Sequence, residues 1–247
     1  MHYGGSVTTS LAKALDVLDY LSGTERPITV RELARGVGVS KSTAHRLATE
    51  LQEWGALEAE PDGYRLGLRL FELGGVALRQ HRLEDLARAT MEDLFDATHR
   101  LTQLGVLLGV DVMYLARVGQ QGHQRVASPV ASRIPATCTA MGKALLAYHP
   151  TAFADALRAG LVRRTRYSIV DGRVLQAQLA AVRRDGVAVE HEEARIGLAC
   201  VASPIMINRR ARAALSITGP AESFDPGEAA GAVRAAARRL SVELANQ

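Results

Sequence analysis

At 247 residues the chain is long enough for one large domain or two ordinary ones. It is 47% hydrophobic, 23% charged and only 4% aromatic, so its cores must rest on Leu, Val, Ile and Ala. A net charge of +4, with a pI of about 9.3, is only suggestive of a nucleic-acid partner, and no run approaches the roughly eighteen apolar residues of a membrane span.

The N-terminus M-H-Y-G-G-S has no charged-then-apolar export pattern, so a cytoplasmic location without membrane contact is expected. Cys138 and Cys200 are then expected to be buried free thiols. The first 82 residues carry as many acids as bases, so charge permits nucleic-acid binding there without establishing it.

In chain order, Ser10 to Leu21 is expected to be a helix capped by Ser10, with Leu11, Ala14, Leu15, Leu18 and Leu21 buried. Thr29 caps a second helix from Val30, broken by Gly36-Val37-Gly38. Ser40 opens a third helix running to Trp54, in which Ala44, Leu47, Ala48, Leu51 and Trp54 form an apolar stripe. Pro61-Asp62-Gly63 between two short apolar runs signals a hairpin. Three helices and a hairpin make a winged helix-turn-helix. A helix from Leu68 to about Leu83 follows, with Gly74-Gly75 expected to mark either a bend or close packing by another helix, and reads as a linker and dimer element.

The second domain is expected to begin with a helix over Leu86–His99. Strands Thr102–Leu108, Val112–Val118 and Gln124–Ser128 come next, then a loop over Pro129–Cys138. Thr139 caps a short helix, another covers Thr151–Ala159, and Asp171 caps a third over Arg173–Arg184. Strands Gly186–His191, Leu198–Ile207 and Ala211–Thr218 precede a C-terminal helix from Asp225 to about Leu244. Because strands and helices do not alternate strictly, the class is α+β with an antiparallel sheet.

The polar face of the third helix concentrates the expected DNA contacts: Ser40, Lys41, Ser42, Thr43, His45, Arg46 and Thr49, joined by Arg65 on the hairpin's return strand. These are hydroxyl, imidazole and cationic donors suited to phosphates and to base edges in the major groove. Arg46 suits either a bidentate guanine contact or a phosphate clamp. No G-x-S-x-G elbow is present, and no cysteine is placed by sequence beside a histidine, so no catalytic residue is assigned. No C-x-x-C or H-x-x-x-H spacing fixes a metal, and no cofactor is expected.

Three stretches of the first domain are similar to the IclR family of bacterial transcriptional regulators: S-L-x-K-A-L-x-V-L-D-x-L, L-A-x-x-V-G-V-S-K-S-T-A-H-R-L-x-x-x-L, and G-Y-R-L-G-L-R-L-x-E-L-G. The second domain resembles it too, in P-x-x-C-T-A-M-G-K-A-L-L-A, R-x-x-G-V-A-x-E-x-E-E-x-x-x-G-L-A-C-V-A-S-P-I and A-L-S-I-T-G-P. Together these cover nearly the whole chain in the family's order.

The resemblance implies a winged helix-turn-helix over 6–68, a linker helix over 69–83, and a GAF-like or profilin-like effector-binding and oligomerisation domain over 84–247. It implies a homodimer or homotetramer on palindromic double-stranded operators, modulated by a small molecule, with an organic or aromatic acid expected. Members often have a glycine a few residues before the proline of the T-A-x-G-K loop; this chain has Ala131-Ser132-Arg133-Ile134-Pro135. Thr137, Cys138, Thr139, Ala140 and Met141 end a loop and start a helix, whose free N–H groups suit a carboxylate. By resemblance Glu190, Leu198, Cys200, Ser216 and Thr218 complete the pocket. The alternative reading, a small-molecule-processing enzyme fused to a DNA-binding module, lacks a catalytic constellation.

Overall fold

Thr9, rather than Ser10, opens helix α1 (Ser10–Ser22): its hydroxyl accepts from the Ala12 N–H at 3.2 Å. The structure, a computed structural model, describes residues 9–81, 83–119 and 130–246. The chain divides into two units between His81 and Arg82, each with its own core. The strand expected over Gln124–Ser128 lies outside the described residues.

In the first unit, α1 buries Val17 and Leu21, whereas Leu11 and Leu15 are exposed, contrary to the stripe expected of them. The buried face is rotated because the partner helices α2 (Val30–Val37) and α3 (Lys41–Glu53) meet α1 at its C-terminal half. Helix α2 carries a full capping box. The Thr29 hydroxyl accepts from the Glu32 N–H, and the Glu32 carboxylate accepts from the Thr29 N–H. The Arg26 guanidinium and the Thr29 cap hold the Glu32 carboxyl down at about 2.

Gly38 ends α2 in the left-handed region at φ 72°, and Ser40 caps α3 by accepting from the Thr43 N–H. Ala44, Leu47 and Ala48 of α3 are buried as the stripe requires. Trp54 is not: it is the C-cap, largely exposed, with the Arg69 guanidinium stacked 4.4 Å from its ring centre.

Strands β1 (Leu57–Glu60) and β2 (Gly63–Leu66) form the antiparallel wing. Tyr64 ties the wing back to the helices through reciprocal backbone bonds with Ile28, each 2.9 Å. That approach needs Gly63, at φ 143°, because a Cβ there would lie 2.4 Å from the Ile28 carbonyl oxygen. Gly63→Ala is expected to destabilise the first unit by about 1–3 kcal/mol through backbone strain and a loosened wing. Thermal unfolding would show this as a lower first transition, and an unchanged one would refute it. Helix α4 (Leu68–His81) completes the unit.

The second unit is built on one six-stranded antiparallel sheet, ordered β5-β4-β3-β8-β7-β6. Its strands are β3 (Leu101–Leu108), β4 (Asp111–Val118), β5 (Arg133–Pro135), β6 (Ala188–His191), β7 (Leu198–Ile207) and β8 (Arg210–Pro220). Side chains alternate between faces. Leu104, Val201, Leu215 and Ile217 pack on one side against α5 (Leu83–Thr98) and α9 (Pro226–Ala245). The other side meets α6 (Ala140–Leu146), α7 (Pro150–Ala159) and α8 (Gly172–Asp185) through Val112, Tyr114, Ala202 and Ala214. The expected loop over Pro129–Cys138 holds β5 and a 3-10 turn over Ala136–Cys138. Contact between this loop and α6 is so close that a Cβ at Gly142 would lie 2.0 Å from the Ala136 carbonyl oxygen.

Candidate functional site

Two places concentrate polar groups. The first is the outer face of α3. Lys41, Ser42, His45 and Arg46 are exposed there. Ser40 is spent as the cap, with its hydroxyl 2.8 Å from the Thr43 hydroxyl. Thr49 donates to the His45 carbonyl. Arg46 pairs with Glu50 one turn on, at 2.7 Å, while Lys41 and His45 have no ion pair among the described residues. In the wing Arg65 does not stand free: Glu58 at 2.8 Å and Glu60 at 3.0 Å hold it. Such exposed pairs contribute little to stability and exchange readily for phosphate.

The second place is a cavity of about 310 Å³ between the α6 face of the sheet, the β4–β5 edge and the turn that follows β6. Of the ten residues expected around a ligand, Thr139, Ala140, Met141, Glu190, Leu198, Cys200, Ser216 and Thr218 line it. Thr137 and Cys138 do not. Both are buried in the 3-10 turn, where the Cys138 thiol donates to the Val162 carbonyl at 3.3 Å. The turn buries them off the cavity wall, a placement that residue spacing cannot reveal. Helix α6 is also only seven residues long, and its Gly142 N–H is taken by the Thr139 hydroxyl at 2.9 Å. Its N-terminus is therefore a weaker anion site than the sequence suggested.

Eight lining residues escaped the sequence reading: Gln103, Tyr114, Ser132, Arg133, Ile134, Arg164, Ala194 and Arg195. Three are arginines from separate segments, whose convergence depends on topology alone. Gln103 had a visible signal, a lone amide inside the apolar strand Leu101–Leu108, on the alternate positions that include Gly105. Just before Arg133, Ala131 adopts φ 64°, the left-handed conformation that glycine takes at no cost. The backbone there keeps a glycine-like shape despite the methyl group.

The floor of the cavity is a polar ladder across three strands. Register sets Gln103 opposite Ser216 and Cys200 opposite Thr218. The Cys200 sulfur lies 3.0 Å from the Thr218 hydroxyl, which donates to Gln103 Oε1 at 3.4 Å. Next to it, one Glu190 oxygen accepts from the Glu193 and Ala194 N–H groups, closing the turn after β6. Glu193 in turn accepts from the fully buried Lys143 ammonium at 2.6 Å, and Lys143 donates to Gln178 at 2.8 Å.

Burial is the main force on the acids and thiols here. It raises the Glu190 and Glu193 carboxyls above the usual carboxylate range and pushes the Cys200 thiol well above the ordinary thiol value. A thiol held protonated is the opposite of an activated nucleophile.

A carboxyl whose folded pKa is raised stabilises the fold below the unfolded value, and that contribution is lost as pH rises through the folded value. Glu190→Gln keeps the acceptor for the two N–H groups and removes the titrating proton. It is expected to flatten the decline in melting temperature above the ordinary carboxylate range. Identical pH profiles for the variant and the parent chain would rule this out.

A winged helix-turn-helix, followed by a separate α+β unit holding a cavity with polar groups in its wall, defines a DNA-binding transcriptional regulator. The model of the IclR helix-turn-helix domain matches residues 10–61, and that of the bacterial transcriptional regulator IclR C-terminal domain matches residues 75–242. The chain belongs to the IclR family.

Over 243 residues it is 31% identical to the glycerol operon regulatory protein of Streptomyces griseus, covering 95% of this chain and 96% of that one. It is 32% identical over 244 residues to the HTH-type transcriptional regulator KdgR of Escherichia coli, covering 96% of this chain and 92% of the relative. Among solved structures, an IclR homologue from Microbacterium hydrocarbonoxydans complexed with 4-hydroxybenzoate superposes with a TM-score of 0.84 at 29% identity, covering 97% of this chain and all of that one. The IclR of Thermotoga maritima gives a TM-score of 0.74 at 27% identity, covering 96% and 98%.

Proposed function

We propose that this regulator is a cytoplasmic, non-enzymatic one-component sensor, in which a small organic or aromatic acid bound in the second unit controls operator binding by the first. The observation that carries this reading is the cavity of about 310 Å³, at the lower end of small-molecule pockets, with arginines 133, 164 and 195 in its wall. Three guanidinium groups against one buried carboxyl favour an anionic ligand. The 4-hydroxybenzoate complex of a structural relative supports the same chemical class.

On the DNA side, Lys41, Ser42, His45 and Arg46 contact the operator, with Thr43, Thr49 and Arg65 nearer the backbone and Ser40 holding the helix end. The domain reading is a DNA-binding module over 6–68, a linker over 69–83 and a sensing and oligomerisation module over 84–247. Assembly into a homodimer or homotetramer is supported by apolar side chains left open in the first unit. Leu11 and Leu15 on α1, and Leu68, Phe71 and Val76 on α4, are all more than two-fifths exposed. Two recognition helices held at one spacing match a palindromic operator. Ligand binding changes that spacing only if it favours one subunit arrangement over another.

The test is a thermal-shift screen of aliphatic and aromatic carboxylic acids, followed by operator titration in the presence of each acid that binds. A rise in melting temperature with one acid, together with altered operator affinity, is expected. Stabilisation by no acid, or only by uncharged compounds, would overturn the anionic-effector reading.

A further inference from the structure

Gln103 is the polar residue that the effector reading leaves without a task. It is the third residue of β3, with only 4% of its surface exposed, on the sheet face that floors the cavity. Its Oε1 accepts from the Thr218 hydroxyl at 3.4 Å. Its Nε2 has no partner, and among the described residues it is the only buried side-chain nitrogen in that position. A buried amide donor left unpaired is costly, so in a native structure such a group calls for a partner that the protein chain itself does not supply.

Two features of the surroundings fix what it faces. Thr218, itself beside the Cys200 sulfur, occupies the carbonyl side of the amide, so the nitrogen is the end that remains for a ligand. The cations that suit a carboxylate come from other segments: Arg133 on the edge strand, Arg164 before α8 and Arg195 in the turn after β6. They are exposed, whereas Gln103 is buried. A ligand whose charge meets the arginines therefore presents a different atom to Gln103.

We infer that Gln103 is a specificity-determining residue, whose Nε2–H donates to an uncharged oxygen of the effector, a hydroxyl or carbonyl remote from its carboxylate. The proposal rests on the anionic-effector reading above and narrows it from acids in general to hydroxy and oxo acids. A methyl group at the same place leaves the amide unpaired and is rejected. Discrimination of this kind is strong, because the analogue lacking the oxygen restores no partner to the buried donor.

Gln103→Met separates ligand recognition from structure, since methionine matches glutamine in length and carries no donor. Calorimetric titration of the full-length protein would use two size-matched pairs, 4-hydroxybenzoate with 4-methylbenzoate and 4-hydroxybutyrate with pentanoate. The parent chain is expected to bind the hydroxyl member of at least one pair about tenfold or more tightly. Gln103→Met is expected to abolish that ratio. Without ligand, its melting temperature is expected to stay close to that of the parent: the unpaired donor is gone, and the Thr218 hydroxyl, which loses Gln103 Oε1, keeps the Cys200 sulfur at 3.0 Å.

Equal binding of both members by the parent overturns the proposal, as does a ratio that survives in Gln103→Met. So does a lower melting temperature of the unliganded variant, which would make the amide structural. If no acid of either pair binds the parent, the same titrations use the acids found by the thermal-shift screen: a screen that yields no acid overturns the anionic reading, and an acid bound alike by the parent and Gln103→Met overturns the role of Gln103.

Discussion

Replacing Lys41 and Arg46 together by alanine is expected to weaken operator binding by about two orders of magnitude or more at physiological salt. The first unit has no net positive charge to hold DNA non-specifically, so its affinity depends on a few well-placed cations. Lys41 stands in the first turn of α3, and Arg46 is exposed farther along the same helix. In a dimer on a two-fold operator, each substitution removes a cation from both half-sites. The slope of log affinity against log salt should then fall by about 0.9 for each phosphate left without its cation, or about 3.6 in all where both cations meet phosphate in both half-sites.

Arg46 also decides between phosphate and guanine. If it reads guanine, Arg46→Ala alone relaxes preference at one base pair of each half-site; if it clamps phosphate, every sequence loses affinity alike. Glu50 provides a control of opposite sign. It holds Arg46 at 2.7 Å in the free protein, so Glu50→Gln should tighten binding modestly by releasing the arginine. Fluorescence anisotropy over a salt series measures all three variants. Unchanged affinity and slope in the double variant would exclude α3 as the reading element.

Where the local chemistry was self-contained, it was legible in the sequence. Thr29 with Glu32, Ser40 with Thr43 and Asp171 with Arg173 are caps whose partners lie two or three residues away, so composition alone located their helices. The wing was marked by Pro61-Asp62-Gly63 for the same reason. Errors came where packing against a distant element decides the outcome. Leu11 and Leu15 continue the helical period of α1, yet α2 and α3 cover only its later turns. Trp54 continues the stripe of α3 but falls at the end of the helix, where Arg69 covers one ring face.

The cavity divides along the same line. Glu190 and Cys200, or Ser216 and Thr218, could be found because sheet pairing and alternation bring neighbouring positions to one face. Arg133, Arg164 and Arg195 come from an edge strand, a loop and a turn, and no periodicity relates them. The 3-10 turn that removes Cys138 from the cavity wall depends on the fit between Ala136 and Gly142, which is a property of tertiary packing.

Lys143→Met is expected to produce the largest loss of stability in the second unit, about 3–5 kcal/mol at neutral pH. The ammonium is fully buried and bonds Glu193 and Gln178; removing it leaves a buried carboxylate whose second oxygen already lacks a partner. Burial raises the Glu193 carboxyl, and the Lys143 charge is the strongest influence opposing that rise. Without Lys143 the carboxyl rises further. Its stabilising, protonated form then persists in acid and is lost as pH rises through the elevated value. The deficit of Lys143→Met against the parent should therefore shrink toward acidic pH and widen toward neutral.

Lys143→Met/Glu193→Gln should recover most of the loss, because a buried ion pair exchanged for neutral groups costs little, whereas half a pair costs much. Differential scanning calorimetry across the acid-to-neutral range tests both variants. A single variant as stable as the parent at neutral pH, or a double variant no better than the single one, would contradict the argument. The same comparison bears on sensing. Glu193 and Glu190 pin the turn that carries Ala194 and Arg195 into the cavity wall, so an unpaired Glu193 should loosen that wall before the unit unfolds. Effector affinity is then expected to fall in the single variant at temperatures where it remains folded, and to return in the double variant together with its stability.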